Sequence, residues 1–393
     1  MENVQEDNQV LLNRARLHLE EGQPLRGRDV LEQVHPESAA QQQELDYLQA
    51  WSYVLEACWD EAEALLAPLV KTIEAEAEDT DEAQKNEHRK RHALCRFYLG
   101  FVAVNIGRYD DAARHYTKCI RLLQDRRVQT PRLQPLRVRA RSYLGMTCIE
   151  RGLYPAAKQH YEDALALFHE VLQPLPGDWR KDLADIYHGF CDLYRQSGDL
   201  IGALEMGKKA MDLYEELNMP IMVSRIDNHI GHAYRLLGDF REASDHFTNS
   251  LAIATTNENP PMIMMNCSAL AKLRMNEGRL KEARKYSEMA LSVTNRTKDN
   301  DLSSRAYLTA GKVAQAEAAQ LEGEQACERL EEALRNFERA CELLGETQAY
   351  GLIAEAYGKR AEVLEMMGQP EEAVGFWRSA FKAQGDSYGA TWE

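Results

Sequence analysis

Asn228, His232 and Arg235 follow one another at spacings of four and three residues, so on a helix they share one face and act together. Their types suit recognition of an extended polypeptide. An asparagine amide pairs with both the N–H and the C=O of a backbone, and an arginine fork grips a carboxylate. Covalent and phosphoryl-transfer chemistry has no comparable foothold. The sequence contains no G-x-G-x-x-G, no G-x-x-x-x-G-K, no G-x-S-x-G and no H-E-x-x-H. Its 11 histidines are scattered, and its many carboxylates are what the helix surfaces of an acidic chain carry opposite Lys or Arg four residues away. The expectation is a protein that is not an enzyme and holds neither metal nor cofactor.

Bulk properties narrow the field further. The chain has 393 residues, a net charge of −16 and 44% apolar residues. Such acidity argues against direct nucleic-acid binding, because neutralised phosphates supply most of that affinity. No apolar run approaches the roughly 18 residues of a membrane span, and the polar, acidic opening Met1–Gln9 is unlike a signal peptide. A cytoplasmic protein with no membrane contact is expected. None of the 8 cysteines forms a C-x-x-C, which favours reduced thiols packed in the core, Cys119, Cys148 and Cys191 among them. Arg121, Arg126, Arg127, Arg132, Arg137, Arg139 and Arg141 crowd one segment, where Pro131 and Pro135 suggest a solvated loop. Docking of an acidic partner is the alternative there. The acidic run Glu74–Glu82, ahead of His88–Arg91, reads as a solvated connection.

The elements that must position these side chains announce themselves by repetition. Gly231, Gly238, Phe240 and Ala243 lead to Phe247 and Leu251, and the same skeleton recurs along the chain. Gly107, Tyr109 and Ala112 precede Tyr116 and Cys119; Gly152, Tyr154 and Ala157 precede Tyr161 and Ala164. Gly198, Leu200 and Ala203 lead to Gly207 and Ala210, Gly278, Leu280 and Ala283 to Ala290, and Gly368, Pro370 and Ala373 to Trp377 and Ala380. A small residue (Gly100, Gly145, Cys191, Gly231, Ala271 or Ala361) precedes each turn glycine. Each unit therefore reads as a helix, a glycine turn, and a second helix. Its alanine lies where two backbones approach, and the large residue four places later fills the gap between helices.

This pattern resembles the tetratricopeptide repeat, over nearly the whole chain. The resemblance implies an all-α, right-handed superhelical solenoid of about nine helix-turn-helix units spanning residues 1–393. Residues 1–72 form degenerate units, around Gly22–Leu25 with Gly27 and around Trp51, Trp59 and Ala62. Residues 92–300 are regular. Residues 301–393 are C-terminal units, with Gly311, Ala333, Phe337 and Ala340 and an insertion near 317–326 read as a lengthened helix or loop. Turn glycines from Gly107 to Gly278 lie 40 to 46 residues apart, more than the roughly 34 of the shortest form. This longer class is similar to the repeats of bacterial peptide-sensing regulators and of spindle-orientation scaffolds.

The resemblance further implies that the first helix of each unit lines a concave groove. The lining would comprise Asp185, His188, Asp192 and Arg195 in unit five, and Arg225, Asn228, His232 and Arg235 in unit six. Unit seven would add Met265, Ser268, Lys272 and Met275, and unit eight Arg305, Leu308, Lys312 and Gln315. Six cations, Arg195, Arg225, Arg235, Lys272, Arg305 and Lys312, thus fall on one stripe of an acidic body, a distribution that focuses potential on anions. Met265 and Met275 would give adaptable apolar contacts. Upstream, Leu94, Phe97, Phe101 and Val104 form an apolar strip, buried against the next unit or serving as an anchor pocket. In unit nine Glu355, Glu362 and Glu365 reverse the sign.

The expected function is a binding module for a peptide or flexible protein tail, anionic by the charge of the stripe. It looks most like the sensor region of peptide-responsive regulators, where the resemblance implies that ligand changes compaction, dimerisation or effector release. Repeat-like helices start by about Leu11, so the DNA-binding domain common in that family is not expected in this chain. Either a partner protein is then the output, or the chain is a repeat fragment of a longer regulator, and a homodimer is compatible with the family. The alternative is a constitutive scaffold joining two proteins.

Overall fold

Asp199, Asp239, Asn259 and Asp299 each accept a hydrogen bond from the backbone N–H three residues on, which starts a helix at a fixed point of the repeat. Prolines do the same work at the first positions of other helices, where no N–H is needed. The outcome, in a computed structural model describing residues 7–76, 82–125, 130–297, 299–345 and 349–389, is an all-helical solenoid. Among the described residues, eighteen α-helices pair in sequence as antiparallel hairpins. Two compact units result, residues 1–182 and 183–393.

The first unit holds α1 (Asn8–Glu20), α2 (Pro24–Leu31), α3 (Ala39–Leu55), α4 (Trp59–Glu76), α5 (Glu82–Asn105), α6 (Tyr109–Gln124), α7 (Gln134–Glu150) and α8 (Tyr154–Leu167). The second is built from α9 (Arg180–Ser197), whose first residues belong to the preceding unit, and α10 (Leu200–Glu216), α11 (Pro220–Leu237), α12 (Phe240–Thr256) and α13 (Pro260–Asn276). It continues with α14 (Leu280–Leu291), α15 (Asn300–Ala318), α16 (Gly323–Leu344), α17 (Tyr350–Met366) and α18 (Pro370–Gly389).

The recurring residues do what their spacing implied. Gly238 closes α11 in the left-handed region, φ 84°, where a side chain would be strained. At Gly231 the need is space: a Cβ there would stand 2.8 Å from Cε1 of Phe247. Phe247 and Ala243 are fully buried at that crossing. Where unit five lacks its wedge, at Gly207, the side chain of Ile230 from α11 takes the place. Cys119, Cys148 and Cys191 are buried, and burial raises all three thiols.

One reading changes. Arg137, Arg139 and Arg141 do not sit in a loop but on α7, since Pro131 and Pro135 occupy helix-starting positions of a short 3-10 turn and of α7 itself. Arg139 pairs with Asp182 at 2.6 Å and Arg141 with Asp163 at 3.7 Å, so these cations are already engaged. Arg126, Arg127 and the Arg132 side chain lie outside the described residues, as does the middle of the Glu74–Glu82 run. The insertion near 317–326 resolves into a short turn followed by an extended α16 of 22 residues. No helix among the described residues is long and apolar enough to cross a membrane.

Candidate functional site

The site is assembled on the first helix of successive hairpins. In the second unit α13 packs directly on α11 and on α15, and α15 on α17, so these helices form one continuous layer. Side chains from neighbouring hairpins therefore meet on its face, and the interactions between them decide what the face can bind.

At one end lies a polar chain. The Tyr214 hydroxyl donates to Asp185 Oδ1 at 2.7 Å, and His188 Nδ1 is 3.3 Å from the same hydroxyl. The His188 ring meets His229 edge-on, with centroids 5.0 Å apart. His229 Nδ1 in turn lies 3.3 Å from Asp192 Oδ1, and Arg195 pairs with that carboxylate. Burial alone would raise the Asp192 carboxyl, but hydrogen bonds and charge from His229 and Arg195 prevail and hold it far below the carboxylate range. Asp192 therefore stays ionised and consumes the charge of Arg195.

Beyond this chain the cations are not consumed. Among the described residues, the side chains of Arg225, Arg235, Lys272 and Arg305 form no hydrogen bond or ion pair. Arg225 and Arg305 are exposed, whereas Arg235 and Lys272 are half-buried. Burial, with repulsion from Lys312, Arg305 and Arg235, pulls the Lys272 amine down to about 8 against the opposing pull of Glu355. Burial and Arg195 lower Arg235. His232 is half-buried, its ring 4.9 Å from that of Phe247, and desolvation plus Arg195, Arg235, His229 and Lys272 keep its imidazole neutral. These shifts share burial as their first cause, and neighbouring positive groups add to it in each case. Lys312 alone meets a counter-ion from the next hairpin, pairing with Glu355. Gln315 donates to Glu362 Oε2 at 3.2 Å.

Several expected lining residues point elsewhere. Asn228 is 1% exposed, and its amide donates to Asn266 Oδ1 at 2.8 Å. Asn266 Nδ2 donates to Ser250 Oγ at 2.7 Å, and Ser250 Oγ lies 2.9 Å from Ser224 Oγ. This buried ladder joins α11, α12 and α13. Asn228 is thus a packing residue, not an open amide awaiting a peptide. Ser268 and Leu308 are likewise buried. Met275 packs against Ala271, Ala283 and Val313, and Met265 against the core between α12 and α15, which leaves both only partly available. In the first unit Phe97 packs edge-on against Tyr143 of α7 at 5.5 Å and Phe101 does so at 5.6 Å, the burial reading of that strip.

Sequence reasoning missed His229 and Tyr214. His229 follows Asn228 by one residue, yet it is the one that reaches Asp192 of the preceding hairpin. The sequence signal was there in the i, i+3 placement of His229 relative to His232. Which of two adjacent residues faces inward depends on the rotation of the helix, which spacing alone leaves open.

With this geometry in place, comparison with known proteins locates the fold. A family model described as tetratricopeptide repeat matches residues 228–261. No curated protein matches the sequence. Among solved structures the chain is similar to a Rap protein complexed with competence and sporulation factor, 12% identical, with a TM-score of 0.65 over 98% of this chain and 99% of that one. It is also similar to the Rap conjugation gene regulator of the plasmid pLS20 in complex with the Phr peptide, at 12% identity, TM-score 0.59, and coverage of 97% and 96%. Aspartyl phosphate phosphatase F from Bacillus subtilis is 11% identical, with a TM-score of 0.57 and coverage of 98% and 95%. At these identities the likeness is one of fold.

Proposed function

We propose that this tetratricopeptide-repeat chain is a non-catalytic regulatory sensor that captures an anionic peptide, or a flexible acidic protein segment, on the first-helix face of residues 183–393. The observation that carries the proposal is the cluster of Arg235, Lys272 and Arg305, whose side chains lack partners in a chain of net charge −16. Arg235 and Lys272 are half-buried and form no ion pair, which costs stability, and an anionic ligand recovers that cost when it binds. Field lines from the cluster emerge from an acidic body, which steers anions to it. Arg225 and Lys312 extend the same lining, with Arg195, Asp192, His188 and His232 at its rim. Two proteins similar in fold are described in complex with competence and sporulation factor and with the Phr peptide, which supports a peptide as the ligand class. Capture is passed to a partner protein.

A peptide array with matched acidic, neutral and basic extended sequences tests this. Acidic peptides should be retained, and Arg235→Ala with Arg305→Ala should weaken them by about 1–3 kcal/mol for each charge-assisted bond lost. Raising salt should weaken them further. Preferential retention of basic peptides, or affinities indifferent to both substitutions, would remove the proposal.

A further inference from the structure

Lys272 stands on a helix flanked by cations from both neighbours. α13 packs against α11 and α15, and the amine is acted on by Arg235 of the first and by Arg305 and Lys312 of the second, against one carboxylate, Glu355 of α17. Its own helix supplies no counter-charge, since Ser268 and Met275, one turn to either side, are uncharged. His232 of α11 lies in the same field and is neutral. The Lys272 side chain is half-buried and forms no hydrogen bond or ion pair. Arginines keep their protons and Lys312 is paired with Glu355, which leaves Lys272 as the unengaged amine of the cluster. Burial first, then the three cations, pulls that amine from 10.5 to about 8, so roughly 300-fold more of it is free base at pH 7 than in an ordinary lysine. A dehydrated lysine beside other cations is a nucleophile.

We infer that Lys272 is a carbon dioxide site: its free amine adds CO2 to give a carbamate whose negative charge is held by Arg235, Arg305 and Lys312. The nitrogen lone pair attacks the carbon of CO2, one C=O π pair moves onto oxygen, and the nitrogen proton is released to water. Among the described residues acting on this group, three cations then face two anions, Glu355 and the carbamate, where four cations had faced Glu355 alone. Carbamate oxygens accept an arginine fork as a carboxylate does. Acylation of the same amine would erase its charge without supplying an anion, which is why CO2 is the reagent the cluster favours. The carbamate engages the cations that an acidic ligand needs, so CO2 acts as an antagonist of capture. That consequence rests on the anionic-peptide reading above; the bond itself does not.

The full chain, equilibrated with 13C-labelled bicarbonate at a pH of about 8, the midpoint of the amine, tests this by 13C NMR. Alkylation of a parallel sample with triethyloxonium fixes any carbamate as an ester for peptide mass mapping, which needs no variant. A carbamate should map to Lys272 and vanish in Lys272→Arg, which keeps the charge but cannot carbamylate. A signal confined to the α-amino terminus, or one unchanged in Lys272→Arg, overturns the inference. At matched ionic strength, bicarbonate should weaken binding of Ac-Asp-Asp-Asp-Asp-NH2 about tenfold in the wild type, with the peptide lowering carbamate occupancy in return, and should leave Lys272→Arg unaffected. Equal weakening of both proteins with no mapped carbamate identifies bicarbonate as an adventitious ion only, and also overturns the inference. A mapped carbamate in a protein that binds no acidic peptide keeps the site and removes the anionic-peptide reading instead.

Discussion

Lys272→Met removes a charge that the folded protein holds at a penalty while keeping the apolar stem. The Lys272 amine moves from an ordinary 10.5 to about 8 through burial and the neighbouring Lys312, Arg305 and Arg235. At about 1.4 kcal/mol for each tenfold change in proton affinity, that displacement corresponds to a penalty of about 3 kcal/mol. Below pH 8 both folded and unfolded chains carry the proton, so the native state bears all of it. Between about 8 and 10.5 the unfolded chain binds more protons, and wild-type stability rises with pH relative to the variant. Above 10.5 both are neutral and the difference vanishes. Urea unfolding at a series of pH values should therefore find Lys272→Met more stable at pH 7, by up to about 3 kcal/mol, with the advantage shrinking as the pH climbs. An acidic peptide should raise the wild-type midpoint more than that of the variant, because it supplies the missing counter-ion. A variant equally stable or less stable at pH 7 would refute the crowding of positive charge, and with it the reason to expect an anion.

Asn228→Ala should cost stability by about 1–3 kcal/mol in chemical denaturation, since it leaves the Asn266 carbonyl oxygen without its donor; an unchanged midpoint would show that the ladder is immaterial. Ala243→Leu should cost about 1–3 kcal/mol by overpacking the fully buried crossing with Phe247 and Leu270, with the melting temperature as readout. Arg139→Ala, at a pair already formed with Asp182, should leave acidic-peptide affinity unchanged, and a loss there would place the binding face elsewhere.

Much of this was legible because the fold is periodic. The glycine and phenylalanine of the Gly231–Phe247 crossing recur at Gly311 and Phe337, where a Cβ would approach the ring to 2.5 Å. Contacts inside one hairpin repeat the sequence pattern that encodes them, so the pattern reveals them. Contacts between hairpins do not. Whether Asn228 or His229 turns inward is a matter of one helical step, about 100° of rotation. The pairing of Lys312 with Glu355 joins residues on different hairpins, set by how the helices are offset. The prolines near Arg137 misled for a different reason: proline ends one helix and begins another with equal ease, and only the partners downstream distinguish the two roles.

The Ser224–Ser250–Asn266–Asn228 ladder has a mechanical consequence. Apolar surfaces slip past one another at little cost, whereas directional bonds in a dry interior break all at once when a helix slides by a fraction of a turn. α11, α12 and α13 therefore travel as one stiff block, and the gap between Arg235 and Lys272 is a fixed ruler. Arg305 rides on α15, outside that block, so any flexing that accompanies capture changes its distance from the other two.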